Sequence, residues 1–90
     1  MEIIRTTQFK RDFKKIRNNK SSVNAFIDAV NLLLAKKTLP AKYNEHPLTG
    51  NLQGFTDIHL KPDLLLLYCI DNKNNVLHLS RIGSHSELFG

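Results

Sequence analysis

The sequence predicts an α+β fold in which two helices pack on one face of a mostly antiparallel sheet. Two observations carry this prediction. Apolar residues recur at three- and four-residue steps within residues 7–37, which is typical of amphipathic helices, whereas the second half of the chain holds three strand-like apolar runs. With 90 residues, of which 41% are hydrophobic, the chain is large enough for one core. We therefore expect a single domain over residues 1–90 with the element order β-α-α-β-β-β.

The first helix is predicted to follow a short strand at residues 1–6. Phe9, Phe13 and Ile16 stand at i, i+4 and i+7, so they share one face of a helix that ends before Asn18. Basic residues occupy most of the remaining arc. This helix is therefore expected to have an apolar face toward the core and a basic face toward solvent.

The second helix is predicted to begin at a cap formed by Ser21 or Ser22 and to run to about Lys37. Lys36 and Lys37 would then lie in its last turn, where they suit the negative end of the helix dipole, and Pro40 follows as a stop. A wide apolar stripe fits this helix to the surface of a sheet. The stripe consists of Val23, Phe26, Ile27, Val30, Leu33 and Leu34.

The segment 39–54 is predicted to be a long loop because it is rich in turn-forming residues. An ordered loop of this length in a small domain is more often functional than idle. The turn-forming residues are Pro40, Pro47, Gly50, Asn51 and Gly54.

Three strands are predicted after the loop, over residues 55–61, 64–70 and 76–82. The middle run is continuously apolar, which is typical of a central strand covered on both faces. In the first run, apolar residues alternate with Asp57 and His59, so these two side chains are expected to point away from the helices. The face of the sheet that carries them is where we expect a functional site.

The net charge of +5 comes entirely from the start of the chain. Residues 1–20 contain seven basic and two acidic residues, whereas the remaining six bases and six acids cancel. A concentrated basic stripe is typical of a surface that binds a polyanion. The competing interpretation is a solvated helix face that keeps a small protein soluble.

Composition also excludes several classes of protein. No apolar stretch approaches the ~18 residues that a membrane span needs, so no membrane association is expected. The single cysteine, Cys69, excludes an intramolecular disulfide framework and lies in an apolar run. These observations favour a cytoplasmic protein.

Three of the four histidines, His46, His59 and His85, lie in a loop or at the ends of predicted strands. The fourth, His78, lies in mid-strand and is expected to be structural. Imidazole titrates near neutrality, so two histidines can divide the roles of acid and base, and a guanidinium can stabilise the charge of a phosphorane. The set predicts phosphoryl transfer at a phosphodiester. Its other polar members are Asp57, Lys61, Asp63 and Arg81.

On RNA this chemistry needs neither a metal nor a cofactor. A base removes the 2′-OH proton, the resulting oxygen attacks the adjacent phosphorus, and an acid protonates the departing 5′-oxygen.

Two competing interpretations remain open. His59 and Asp63 stand four residues apart and could hold a metal together with His46 or His85, although this spacing matches no specific metal motif. Arg81 could instead pair with Asp63 in a purely structural ion pair.

Several short segments, taken together over nearly the full length, resemble the YafQ-type toxins of the RelE superfamily. Each motif is weak alone, but their order and spacing are specific. The segments are HPLTG at 46–50, GFTDIH at 54–59, PD at 62–63, RIGSH at 81–85 and LFG at 88–90.

This resemblance implies a bacterial type II toxin that acts as an mRNA endoribonuclease, usually on codons in the ribosomal A site. It also implies a cognate antitoxin that neutralises the toxin, and a toxin–antitoxin complex that represses its own operon, so operator DNA would be contacted only through that complex. The family's functional positions correspond here to His46, His59, Asp63, Arg81, His85 and Phe89.

Roles follow from chemistry and resemblance together. His85 is the favoured acid toward the 5′-oxygen, whereas His46 or His59 would serve the 2′-OH, with Asp63 as an alternative base or an orienting group. Arg81 would stabilise the phosphorane. On the substrate side, Phe89 would stack on a base. Further substrate contacts are expected from Asp57 and Lys61, and contacts to RNA phosphates from Lys10, Lys14 and Lys15.

This chain departs from the family pattern at one position, and two alternative functions stay open. Some relatives carry an aromatic residue directly after the aspartate of the PD motif, where this chain has Leu64. If that aromatic residue helps to hold a base, the codon preference of this chain differs from theirs. Some small relatives cut RNA without a ribosome, which makes a ribosome-independent RNase one alternative. A non-catalytic module that binds RNA or a partner protein is the other.

Overall fold

A computed structural model describes the whole chain, Met1–Gly90. The three helices are α1 (Thr7–Lys14), α2 (Lys20–Leu34) and α3 (His85–Phe89). The five strands are β1 (Glu2–Arg5), β2 (His46–Pro47), β3 (Thr56–Lys61), β4 (Leu64–Asp71) and β5 (Val76–Gly83). Short 3-10 turns occupy Ala41–Tyr43 and Gly50–Leu52.

The strands form one sheet in the order β1-β5-β4-β3-β2. β1 runs parallel to β5, and every other neighbouring pair is antiparallel. The predicted α+β class with a mostly antiparallel sheet is therefore confirmed. None of the helices combines the length and apolar character that crossing a membrane would require.

The main core lies between the helices and one face of the sheet. Phe9 of α1 and Leu33 of α2 are almost completely buried there, against alternate residues of the central strands. Each fully buried leucine or phenylalanine stabilises the fold by roughly 1.5 to 3 kcal/mol. The sheet contributes Ile58, Leu64, Leu66, Tyr68, Leu77, Leu79 and Ile82.

β4 is covered on both faces, as its continuous apolar run predicted. Leu64 and Leu66 face the helices, whereas Leu65 and Leu67 alternate with them and are also buried, at 0% and 6% exposure. The sheet face opposite the helices is consequently closed at its centre, and polar side chains surround this closed patch.

The ends of the first two helices differ from the prediction. α1 ends at Lys14, and a series of turns follows it. Asn19, rather than Ser21 or Ser22, caps α2, because its side-chain oxygen accepts the Ser22 backbone N–H at 3.0 Å. An Asn cap satisfies the orphan amide as well as a serine does.

α2 ends at Leu34, so Lys36 and Lys37 lie beyond its last turn rather than within it. Lys36 adopts a left-handed conformation with φ of 56°. Its N–H donates to the Leu33 carbonyl and the Lys37 N–H donates to the Leu32 carbonyl, each at 3.1 Å. This is a Schellman motif, which closes a helix by consuming its last carbonyls.

Two short elements are absent from the predicted order, and both carry candidate site residues. β2 pairs with β3 inside the segment predicted as a loop. α3 follows Ser84, whose side chain accepts the Glu87 N–H at 3.2 Å while Glu87 accepts the Ser84 N–H at 2.8 Å. This reciprocal capping box is a sequence signature of a helix start. The two elements give His46 and His85 ordered backbones.

Candidate active site

Strand register brings several candidate residues into one row across the sheet. His46 lies opposite Asp57, Asp57 opposite Leu67, and Leu67 opposite Arg81. Directly opposed residues project to the same face of a sheet. The backbone positions of this row, which we call the His46–Arg81 row, therefore cross four strands on the face opposite the helices. At its far end the Arg81 guanidinium reaches Asp12 of α1, because β1 pairs with β5 only as far as Leu79 and leaves that edge open.

One end of the row holds a cluster of two histidines and a buried carboxylate. His46 Nδ1 lies 3.6 Å from Asp57 Oδ1, and the rings of His46 and His59 have centroids 6.5 Å apart. The His46 side chain is 56% exposed and that of Asp57 only 10%. Asp57 Oδ1 is buried without any hydrogen-bond partner. A buried carboxylate with a vacant acceptor can orient an adjacent imidazole and stabilise it when it becomes charged.

A second cluster surrounds the start of α3. The Asp63 Oδ1 atom, in the turn between β3 and β4, accepts the His85 backbone N–H at 3.0 Å. His85 is exposed, and its ring lies 5.3 Å from that of Phe89, one helical turn later. Asp63 therefore acts here as an anchor for the residue that carries the imidazole.

The first cluster lies two strand spacings from β5 when measured from His59 on β3, and three spacings when measured from His46 on β2. His59 lies opposite Leu65, and Leu65 lies opposite Gly83, two residues before His85. Neighbouring strands are ~4.8 Å apart, which places His59 and the end of β5 about 10 Å apart.

An added Cβ at Gly83 would lie 3.0 Å from the Glu87 Oε1 atom, so a glycine there lets α3 fold closely against the strand.

Arg81 pairs with Asp12, and the alternative pairing with Asp63 is wrong. Arg81 Nε donates to Asp12 Oδ2 at 2.8 Å, and Nη2 donates to Oδ1 at 3.2 Å. Burial raises the pKa of Asp12, but hydrogen bonds from Arg81, Gln8 and Ile82 outweigh burial and hold this pKa below its ordinary value. The hydrogen bonds to Asp12 correspondingly raise the pKa of Arg81.

Asp12 is not among the residues that the sequence singles out, although a signal is present. It lies three residues after Phe9 and four before Ile16, so helical periodicity puts it on the apolar face of α1. An acid on the apolar face of an otherwise basic helix requires a buried partner. The partner itself, 69 residues later in the chain, has no local signal.

The predicted basic contacts have different environments. Lys10 and Lys14 are exposed and line a groove of about 240 Å³ whose floor is formed by aromatic rings. Lys15 Nζ lies 3.4 Å from Glu87 Oε2, which links α1 to α3 in an exposed pair. The rings on the groove floor belong to Phe9, Phe13 and Phe26.

Lys61 is engaged at the start of α2. Its Nζ donates to Ser21 Oγ at 2.8 Å and to Ser22 Oγ at 3.3 Å. Lys61 also lines a shallow cavity of about 280 Å³ together with His59. Its ammonium is therefore held at the start of α2 by two hydroxyls.

The chain matches one protein-family model and is similar to several known proteins. A family model described as "Bacterial toxin of type II toxin-antitoxin system, YafQ" matches residues 1–90. The mRNA interferase toxin YafQ of Escherichia coli strain K12 is 34% identical over 84 residues, covering 92% of this chain and 89% of that protein. Among solved structures, a metal-bound toxin from Helicobacter pylori is 42% identical with a TM-score of 0.89, covering 99% of both chains. YafQ in the E. coli DinJ-YafQ complex is 32% identical with a TM-score of 0.86, covering 99% of this chain and 98% of that one.

The metal in the H. pylori structure prompts a test of the residues in this chain. No three His, Cys, Asp or Glu side chains lie together as ligands for one metal ion. His59 and Asp63, whose spacing suggested a metal site, therefore gain no third ligand in this arrangement. The side chains of this chain do not fit a three-ligand metal site.

Family model, sequence identity and fold agree over essentially the whole chain. The match spans residues 1–90, identity to several relatives exceeds 30%, and the sheet order and helices superpose on the solved relatives. The resemblance inferred from the short motifs is thereby confirmed. The chain belongs to the YafQ family of bacterial toxins of type II toxin–antitoxin systems.

Proposed function

We propose that this protein is an endoribonuclease that cleaves mRNA by attack of the 2′-OH on the adjacent phosphodiester. One observation carries the proposal: a single sheet, with the helix that follows it, carries all three kinds of group. The His46–Arg81 row holds the His46–Asp57 pair on β2 and β3 and Arg81 on β5, and His85 begins the helix that follows β5. Base, acid and charge stabiliser are the three groups that this reaction requires. The E. coli relative is named an mRNA interferase, which supports mRNA as the substrate.

His46 is the general base in this proposal. Asp57 Oδ1 faces His46 Nδ1, so a proton on Nδ1 leaves the Nε2 lone pair free to accept the 2′-OH proton. The 3.6 Å separation is longer than a hydrogen bond, and such contacts commonly tighten when substrate binds. His59, 6.5 Å away between ring centroids, contacts the same nucleotide.

His85 is the general acid, and Asp63 anchors it. The hydrogen bond from the His85 backbone N–H to Asp63 fixes the first turn of α3, so the imidazole is presented from a defined backbone position.

Arg81 stabilises the negative charge of the phosphorane with its positive guanidinium. Its contacts to Asp12 use two of the five guanidinium N–H groups and leave three for phosphate oxygens.

Phe89 binds substrate by stacking on a base. We expect Phe89→Ala to weaken RNA binding by ~1 to 3 kcal/mol, the usual contribution of base–aromatic stacking. The melting temperature should change little, because the ring is 38% exposed and the capping box holds α3 independently. RNA titrations and thermal melts of the variant measure both effects. Ile27→Ala, which truncates an exposed side chain on α2, is the matched control. A large fall in melting temperature for Phe89→Ala alone would show that Phe89 is part of the core.

Lys10 and Lys14 bind RNA phosphates along α1. Neutralising both should reduce the steepness of the slope of log affinity against log salt concentration by ~0.7 to 0.9 for each phosphate that is no longer bound. Neutralising Lys15 in addition should have a smaller effect, because Lys15 is paired with Glu87. The control replaces Lys37 and Lys73, two exposed lysines outside α1, which changes the net charge equally. Equal slopes for the two double variants would make the α1 lysines a solubility feature.

A cognate antitoxin and the ribosome are the proposed partners. The E. coli relative forms a complex with DinJ, which supports an antitoxin for this chain, and a partner rich in acidic side chains would complement the basic face of α1. We propose cleavage in the ribosomal A site, with operator DNA contacted only through the toxin–antitoxin complex.

Primer extension on mRNA after expression, with and without translation, tests this function. Cuts in frame with codons that disappear when translation is blocked are the expected result. Cuts that persist in untranslated RNA would indicate a ribosome-independent RNase. An absence of cuts together with retained RNA or antitoxin binding would indicate a non-catalytic binding module.

A further inference from the structure

Asp12 is one of only two charged side chains that are buried, and the other is Asp57. It is 5% exposed and accepts four hydrogen bonds. Two come from Arg81, a third from the Ile82 backbone N–H at 3.1 Å, and a fourth from Gln8 Nε2 at 3.0 Å. This carboxylate is therefore fully committed inside the protein and has no vacant acceptor for substrate.

The contact to Ile82 provides a hydrogen-bond acceptor for a backbone N–H at an unpaired part of the sheet edge. β1 pairs with β5 only as far as Leu79, so the N–H of Ile82 has no strand partner on that side. Asp12 supplies the missing acceptor. α1 is thereby attached to β5 at the residue that follows Arg81 and three residues before His85.

The contact to Arg81 fixes the orientation of the guanidinium. Nε and Nη2 form one edge of the planar group, and both face Asp12. A two-point contact of this kind prevents rotation of the plane, so the opposite edge, with Nη1, has a defined direction. A single-point contact would leave the guanidinium free to turn.

We propose that Asp12 is a positioning residue for RNA cleavage, which aims the free edge of Arg81 at the scissile phosphate and ties the end of β5 to α1. This inference rests on the proposed function, because it assigns Arg81 to the phosphorane. Asp12 itself touches neither substrate nor reacting atoms; it acts through Arg81. The same residue joins the basic helix that binds phosphates to the strand that leads to His85.

The test is a double-substitution cycle on cleavage rate at matched folded concentration. Asp12→Asn keeps the shape of the side chain but removes its charge and one acceptor oxygen. We expect roughly a 10- to 100-fold lower kcat with little change in KM, since misplacement of a catalytic group by about 1 Å can cost 100-fold. In a background of Arg81→Ala, Asp12→Asn should lower kcat no further. Gln8→Ala, which removes a different hydrogen bond to Asp12, should retain the parental kcat.

Three outcomes would overturn the inference, and they are distinguishable. A parental kcat for Asp12→Asn with a strongly reduced kcat for Arg81→Ala would exclude positioning by Asp12 while leaving the role of Arg81 intact. An equal loss from Asp12→Asn in both backgrounds would make Asp12 purely structural. A parental kcat for Arg81→Ala would overturn both the inference and the proposed role of Arg81. If Arg81→Ala does not fold because Asp12 is left unpaired, Arg81→Lys replaces it in the cycle. A lysine keeps Asp12 paired but has no planar edge to orient, so Asp12→Asn should lower kcat less in this background than in the parent.

Discussion

His85→Ala is expected to lower the rate of RNA cleavage by ~10²- to 10⁴-fold while leaving the protein folded. The imidazole is exposed at the start of α3, so its removal opens no cavity in the core. The backbone N–H that binds Asp63 is retained in the variant, and so is the capping box that holds α3. Cleavage rates at matched folded concentration, with melting temperatures alongside, measure the effect.

His78→Ala is the matched control for this variant. His78 lies in the middle of β5, opposite Cys69 in the sheet, and belongs to neither histidine cluster. It is expected to lose some stability through poorer packing but to retain cleavage per folded molecule. A parental rate for His85→Ala, or an inactive His78→Ala, would show that the general acid is assigned to the wrong residue.

His46→Ala is expected to produce the second large loss of activity, again ~10²- to 10⁴-fold. The reason is the pairing with Asp57, whose buried and otherwise unpartnered oxygen faces His46 Nδ1. A general base must be neutral to act, so its activity is lost as the pH falls. A general acid must be protonated, so its activity is lost as the pH rises.

The pH profile of cleavage separates the two histidine roles. The residual activity of His46→Ala should lack the acidic limb of the parental profile, and that of His85→Ala should lack the basic limb. His59→Ala is the comparison, and it should keep both limbs with a smaller loss of rate. If His59→Ala instead loses the acidic limb while His46→Ala keeps it, His59 is the base.

Local patterns in the sequence were sufficient to predict the fold class. The spacing of Phe9 and Phe13 predicted α1, although Ile16, the third residue of that pattern, lies in the turns after the helix. The continuous run in β4 identified a strand covered on both faces, because burial follows from strand geometry. Helix ends were predicted less well. The cap at Asn19 depends on one side-chain hydrogen bond to the Ser22 N–H, and the turn at Lys36 on two backbone hydrogen bonds, and neighbouring residues of similar chemistry compete for those positions.

The sequence proposed the residues of the candidate site, but it did not predict how they are arranged. His46, His59, Asp63, Arg81 and His85 were selected from their chemistry and from the resemblance, yet nothing local indicated which would meet. Register decided it, because pairing of β2 with β3 brings His46 against Asp57 and pairing of β4 with β5 extends the same row to Arg81. A one-residue slip in any pair would send those side chains to opposite faces.

The sequence by itself determined the class of fold, the toxin family and the concentration of positive charge in the first twenty residues, since each of these follows from residue spacing or from residue counts. Only the tertiary structure decided the partners of the charged groups. Arg81 meets Asp12, 69 residues away, rather than Asp63, and Asp63 anchors His85 instead. Such pairings depend on where the edge of β5 lies open and where α1 crosses it, and long-range packing sets both.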